Sequence, residues 1–314
     1  MALTRVPTPG GPGPATWRTY FGPTALPFWA VHVLAIAGVV WLGLSWTGLL
    51  VAGISYFIRM FFVTGAYHRY FSHRTFKTSR AFQFFLALGA QTSAQKGVMW
   101  WSSHHRWHHK YSDEPPDVHS AKLRGFWYSH VGWFLGPDWS RTDESRVSDL
   151  ARFPELRLLN RPSLQLMPAL ASLVILWLIG GAWLALWGGF VATVLLWHGT
   201  FTINSLSHMF GSRKYATSDD SRNNWLLALI TMGEGWHNNH HHYQSSCNQG
   251  FHWWQIDVTY YILKGFEKVG LIWDVRRAPA HVIEGRPGSD GDAGGGGAEP
   301  GPERNDKAAL VKAA

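Results

Sequence analysis

Two long apolar stretches dominate the chain. Between Ala25 and Tyr67 the only formally charged side chain is Arg59, and between Ser163 and Ser207 there is none. Each stretch is about twice the roughly 20 residues that a helix needs to cross a bilayer core. Each therefore predicts a hairpin of two membrane helices, with spans at about 25–46, 49–67, 164–184 and 188–207. The expected connections, Thr47–Gly48 and Ala185 to Trp187, are short and uncharged.

The polar remainder divides in step with this pattern. An N-terminal segment, 1–24, precedes the first hairpin, 25–67. Polar segments 68–162 and 209–280 flank the second hairpin, 163–208, and form a helical cap. Residues 78–100 read as a partly apolar helix interrupted by Gln91, Gln95 and Lys96, suited to the membrane surface. Pro115, Pro116, Pro154 and Pro162 break the 110–162 region into turns. The Gly-, Pro- and Asp-rich run over 281–314 cannot bury a core and reads as a disordered tail. The fold class expected is an all-α integral membrane protein with four transmembrane helices. Every Lys and Arg except Arg59 lies outside the hairpins, so the positive-inside tendency places both termini and the cap in the cytoplasm.

Composition agrees with that layout. The 314 residues are 46% hydrophobic and only 15% charged, an unusual balance for a soluble chain. A net charge of +8 suits anionic lipid headgroups or an acidic partner, and no nucleic-acid recognition motif accompanies it. Many of the 19 Trp residues fall near span ends, as interfacial anchors do. Cys247 is the only cysteine, which excludes an intrachain disulfide and a cysteine-ligated iron-sulfur cluster. The N-terminus lacks the pattern of a cleavable signal peptide. The glycine run in the tail lacks the phosphate-loop pattern.

Chemistry concentrates in three histidine clusters, HRYFSH at 68–73, HHRWHH at 104–109 and HNNHHH at 237–242. His105, His108 and His109 are spaced i, i+3, i+4, as are His237, His240 and His241, so each trio projects from one helical face. His208 ends the fourth span in NSLSH. The step from His68 to His73 turns an ideal helix through about 500 degrees, so those two are expected to address different metals. Nine imidazoles exceed the needs of one tetrahedral structural zinc and suit two ions with four or five ligands each. Iron is the functional choice, although imidazole also binds zinc, copper and nickel. Asp113, Asp117 and Glu234 can orient imidazoles or be solvated loop acids, and His119 and His130 are candidates for the same outer ring. His32 and His198 read as packed span residues, while His104 and His242 flank ligands and face water.

HRYFSHRTFKTS, HHRWHHKYS, RGFWYSHVGW, NSLSH and GEGWHNNHH, in this order and spacing, resemble the membrane fatty-acid desaturases, closest to the acyl-CoA delta-9 (stearoyl-CoA) type, over roughly 25–275. The resemblance implies a di-iron centre held by His68, His73, His105, His108, His109, His208, His237, His240 and His241, with Asn204 reaching one metal through water. It implies that dioxygen and two electrons convert adjacent methylenes of a long-chain saturated acyl-CoA into a cis double bond. Gln95 and Trp101 match family positions near the acyl carbonyl. Lys122 and Arg124 lie where basic residues meet phosphates, and Tyr56 and Met60 where the tunnel closes. Ser103 and His104 depart from a charged pair near the CoA headpiece, which leaves the carrier open between CoA, carrier protein and lipid.

The chain has no cytochrome b5 HPGG motif and no Rossmann fingerprint. Electrons are therefore expected from an external ferredoxin, flavoprotein reductase or cytochrome b5. A related hydroxylase is the nearest rival reading. A metal transporter is disfavoured because its ligands usually lie near the bilayer midplane, whereas these clusters follow the spans.

Overall fold

A computed structural model describes residues 14–285. The expected tail over 281–314 lies mostly outside these residues, and its first residues, which fall inside them, are ordered. Ala280–Glu284 is helical, and Tyr215 donates to the Ile283 carbonyl at 2.7 Å.

The fold is helical, with a single two-stranded pairing of Lys77–Thr78 against Ile272–Trp273 among the described residues. Three segments are long and apolar enough to cross a membrane: Pro23–Leu42, Trp46–Ser72 and Met167–His208. The third spans 42 residues but is not one rod. At Gly180 and Gly181 the backbone leaves the helical region, and Gly181 has φ 61, a left-handed value that glycine alone adopts freely. The two halves then fold back on each other: a methyl added at Gly189 would lie 2.6 Å from Leu173 Cδ1. The bend thus falls before the expected Ala185–Trp187 connection, which is instead helical within Ala185–Val191.

The first bend moves in the same way. Helix Leu26–Leu42 stops at Gly43, whose φ is 80, and the next helix starts at Ser45, whose hydroxyl accepts from Gly48 N at 3.1 Å. Thr47 and Gly48 lie inside that second helix, Trp46–Phe61, rather than at a turn. Gly48 is required there for contact, because an added Cβ would sit 2.3 Å from the Trp187 ring. Turn-forming glycines and packing glycines look alike in an apolar run.

The Trp46–Phe61 helix continues as a wide, π-helical segment, Phe62–Ser72, into the histidine-bearing region. The expected 78–100 helix is two helices, Arg80–Gln91 and Val98–Tyr111, separated where Ala94 and Lys96 take positive φ. The second carries HHRWHH. Its free N-terminus is capped from afar, with Asn160 Oδ1 accepting from Trp100 N at 3.0 Å. The main core joins Met60, Tyr67, Phe71, Leu86, Met99, Leu150 and Leu263, so it binds the second apolar helix to the histidine-bearing helices.

Candidate metal centre

Two arginines, Arg69 buried and Arg106 partly buried, fix the histidine helices relative to each other. Arg106 donates to the carbonyls of Phe71 and Ser72 at 2.8 and 3.0 Å, closing the end of the wide helix, while pairing with Asp149 at 2.7 Å. Arg69 bridges Glu234 at 3.1 Å and Asp257 at 2.9 Å and donates to the Cys247 carbonyl at 2.8 Å. Breaking the buried Arg69 network would leave uncompensated charge in the interior, a cost of about 3–5 kcal/mol, whereas the Arg106–Asp149 pair is partly exposed and costs less to break.

The imidazoles converge into two groups. One holds His68, His73, His105, His109 and His240; the other holds His108, His208, His237 and His241. His68 and His73 thus share a group, contrary to the expectation from ideal helical geometry. The cause is the wide helix: His73 N–H bonds the His68 carbonyl at 3.2 Å, an i to i+5 turn that stacks residues five apart. Each HxxHH trio, conversely, is divided. His105 and His109 face one group and His108 the other, and His240 separates from His237 and His241 in the same way.

The donor set fits metal ions. In the five-histidine group, Nε2 to Nε2 separations are 2.8 Å for His73 and His105, 3.0 Å for His105 and His109, 3.0 Å for His109 and His240, and 3.1 Å for His240 and His68. Ligands held about 2.1 Å from an ion at right angles lie roughly 3.0 Å apart, so a cation between these nitrogens matches their spacing. In the four-histidine group His208 and His237 Nε2 approach to 3.0 Å, and the buried Nε2 atoms of His108 and His241 have no partner among the described residues.

Carboxylates set the tautomers from behind. His108 Nδ1 donates to Asp117 at 2.8 Å, His208 Nδ1 to Asp113 at 2.9 Å and His241 Nδ1 to Asp219 at 2.6 Å, while His68 Nδ1 pairs with Glu234. These bonds turn the Nε2 lone pairs inward. Asp113, Asp117 and Glu234 were legible as orienting groups; Asp219 was not, because only the fold brings it to His241. Burial opposes ionisation of Asp113, Asp117 and Asp219, but their histidine partners hold all three below the usual carboxylate range. Burial, reinforced by the neighbouring rings, keeps His73, His105, His109, His237 and His240 well below the ordinary histidine range. Neutral imidazole is the form a metal needs.

Other histidines depart from expectation. His104 does not face water; it is buried, with Nδ1 2.8 Å from the Trp100 carbonyl. His242 stacks on Tyr215 with ring centroids 4.1 Å apart. His119 lies beside His108 with centroids 4.2 Å apart, at the edge of the second group. His130 joins His198 at 2.9 Å, and His198 joins His32 at 3.1 Å, a chain apart from both groups.

A largely apolar cavity of about 490 Å³ leads to the histidines. It shares Trp101, His105, His119, Thr200 and Asn204 with a smaller inner pocket of about 40 Å³, which touches both groups and is lined by Met60. Gln95 and Trp101 line the larger cavity and bond each other at 3.3 Å. Asn204 lies where the two spaces meet. Tyr56 stands behind the inner wall: a Cβ on Gly199 would meet its hydroxyl at 2.4 Å and Met60 Cε at 3.2 Å. Lys122 and Arg124 do not line either space; Lys122 pairs with Asp220 at 2.9 Å and Arg124 covers the Tyr128 ring at 4.0 Å.

Comparison with known proteins accords with this arrangement. The fatty acid desaturase family model matches residues 44–275. Delta-9 acyl-lipid desaturase 2 of Arabidopsis thaliana is 38% identical over 249 residues, 78% of this chain and 80% of that protein. The sn-1 stearoyl-lipid 9-desaturase of Anabaena variabilis is 36% identical over 253 residues, 80% and 92% of the two chains. The acyl-CoA C20 Delta5-desaturase of Anemone leveillei is 37% identical over 255 residues, 78% and 81% of the two chains. With apolar helices able to span a membrane, a histidine centre suited to metals and relatives that are oxidoreductases of acyl chains, the chain belongs to the fatty acid desaturase family.

Proposed function

We propose that this protein is a four-span membrane di-iron desaturase that removes two hydrogens from adjacent methylenes of a saturated acyl chain, creating a cis double bond at the delta-9 position. The carrying observation is the convergence of nine imidazoles into two groups at the inner end of an apolar cavity. Two irons held by His68, His73, His105, His109 and His240, and by His108, His208, His237 and His241, supply the activation of dioxygen. No side-chain acid or base can deprotonate an alkane carbon, so the chain's own residues work by position. Trp101 and Gln95 border the cavity path, Asn204 marks its junction with the metal groups and Met60 limits how far the acyl chain advances.

A saturated chain offers no polar mark at its middle, so distance from the head group to the metals selects the bond. CoA is the first candidate carrier. Relatives acting on acyl-lipid and acyl-CoA substrates support an acyl substrate of either type. The bend at Gly180–Gly181 supports counting Met167–His208 as two spans, and with four spans the positive-inside tendency favours a cytoplasmic side for both termini and the metal groups. Reduction comes from an external ferredoxin, flavoprotein reductase or cytochrome b5 drawn to the basic cytoplasmic face, and salt should weaken that encounter.

The test is turnover of iron-loaded protein with a reducing system, oxygen and stearoyl-CoA or stearoyl lipid, followed by mass spectrometry. A product two hydrogens lighter, with its double bond at carbon 9, supports the proposal. A product heavier by one oxygen assigns a hydroxylase instead.

A further inference from the structure

A further groove, of about 440 Å³, lies between the end of the wide helix and the strand pair, and shares no residue with the two spaces beside the histidines. Arg74, Lys77, Arg80, Arg152 and Arg276 line it, and no Asp or Glu does among the described residues. Five cations around one groove repel each other unless something negative intervenes. Three are answered from outside the lining: Arg74 by Asp149 at 2.6 Å, Lys77 by Asp274 at 2.8 Å and Arg80 by Glu155 at 2.7 Å. Asp149 is shared with Arg106, so it answers Arg74 only in part. Arg152 and Arg276 meet no carboxylate among the described residues; Arg152 lies 5.0 Å over the Phe153 ring instead. The groove therefore keeps an excess of positive charge.

One corner gathers donors with nothing to bond. Tyr70 donates to Gln83 Oε1 at 2.9 Å, and Arg74 and Arg152 both lie within electrostatic reach of that hydroxyl. Gln83 also lines the groove; it is only 2% exposed, yet its Nε2 has no acceptor among the described residues. A buried amide donor left unpaired is costly, and such groups are rare in folded chains. The acceptor that suits it, beside two guanidiniums, is the oxygen of a phosphate or carboxylate. The other cations stand close by. Arg80 and Arg152 flank the same Phe153 ring, at 5.9 and 5.0 Å, and Arg276 N donates to the Thr75 carbonyl at 2.8 Å, next to Arg74.

The rims of the groove identify the source of the anion. On one side Thr78 donates to the Leu271 carbonyl at 2.7 Å, and Leu271, Trp273 and Val269, the last 70% exposed, turn apolar surface outward. On the other, Arg80 opens the helix Arg80–Gln91, which exposes Phe84 and Phe85. Phe85 packs on Phe62 with ring centroids 5.6 Å apart, and Phe62 belongs to the apolar Trp46–Ser72 segment. Apolar surface thus continues from a membrane-spanning segment to the edge of a basic groove, the arrangement expected at the level of lipid headgroups. We infer that this groove is a binding site for the phosphate of an anionic phospholipid in the leaflet on the histidine side. Gln83, Arg74 and Arg152 meet the phosphate oxygens, and Lys77, Arg80 and Arg276 surround them. Because the groove shares no lining residue with the acyl cavity, the lipid held here is a bound neighbour and not the reacting chain.

The test measures retention of radiolabelled dioleoyl phosphatidylglycerol and dioleoyl phosphatidylcholine by the full-length protein in neutral detergent. Expected is about thirtyfold tighter retention of phosphatidylglycerol, the effect of two unmatched cations on an anionic headgroup. Arg152→Gln combined with Arg276→Gln breaks no ion pair and should remove that preference. Arg18→Gln combined with Arg141→Gln, the same change of charge at exposed positions outside the groove, should leave it intact. Gln83→Glu keeps an acceptor for Tyr70 but replaces the unpaired donor with an anion, and should also abolish the preference. An unchanged melting temperature of the surface pairs separates these outcomes from a folding defect. Equal retention of the two lipids, or equal loss in the groove and control pairs, overturns the proposal. Inorganic phosphate that displaces the lipid at matched concentration makes the ligand a soluble phosphate and overturns the lipid source. A groove pair that keeps the lipid but loses affinity for an acidic ferredoxin assigns the face to a protein partner and overturns it equally.

Discussion

Asp219 Oδ2 accepts from His241 Nδ1 at 2.6 Å, across 22 residues of sequence, and so aims the opposite ring nitrogen into the four-histidine group. Removing the acceptor's charge while keeping its shape should loosen that group alone. Asp219→Asn is expected to lower metal affinity or activity by about 10- to 100-fold with little change in melting temperature. Metal content after dialysis, compared with the wild type, checks it.

Met60 is fully buried and forms the wall of the inner pocket, with Gly199 pressed against it. Met60→Ala should deepen the pocket and raise the rate on chains two carbons longer relative to stearoyl by about tenfold. Gly199→Ala should do the opposite, since its methyl would displace Tyr56 or Met60 into the space. Competition assays with acyl chains of 16, 18 and 20 carbons measure both. Equal preferences in all three proteins would remove Met60 from chain-length control.

Acid should destabilise the metal-free protein. His73, His105, His109, His237 and His240 are held well below the ordinary histidine pKa of about 6.5, chiefly by burial. Below that value the unfolded chain binds more protons than the folded one, so stability is full above about 6.5 and falls as the pH drops further. The depressed Asp113 and Asp219 act in the same direction at lower pH, withdrawing their contribution below the usual carboxylate range. Melting temperatures of metal-free protein at pH 7.5 and 5.5 should therefore differ, with the acidic sample lower.

Gly235 has no room for a side chain. An added Cβ would lie 2.1 Å from Ala228 N and 2.4 Å from Asn224 O, both backbone atoms that cannot swing aside. Gly235→Ala should shift the helix Trp225–Ile230 against the third histidine cluster and cost about 1–3 kcal/mol or more. Thermal unfolding would register the loss, together with reduced metal retention.

The sequence made the converging histidines legible but not their partition into two groups. Histidine spacing singled out the nine imidazoles that gather, because rings so concentrated beside apolar spans have few other uses. It could not sort them, since His105 and His108 share a helical face broad enough to serve two ions, and only their neighbours decide which. A turn of 3.6 residues separates His68 from His73, whereas the wide turn actually present between them brings the two rings together. The two bends were misplaced by a few residues because glycine marks both turns and close contacts, as Gly181 and Gly48 do respectively. The place of Asp219 behind His241 depends on tertiary neighbours that no local pattern encodes.

The central claim is that two irons sit in separate imidazole groups. Its most direct measurement is the iron content of purified, iron-loaded protein and of two single variants, His109→Ala in the five-histidine group and His108→Ala in the four-histidine group. The account predicts about two irons per wild-type chain and preferential loss of one iron in each folded variant. One iron in the wild type, or two retained in both folded variants, would contradict it.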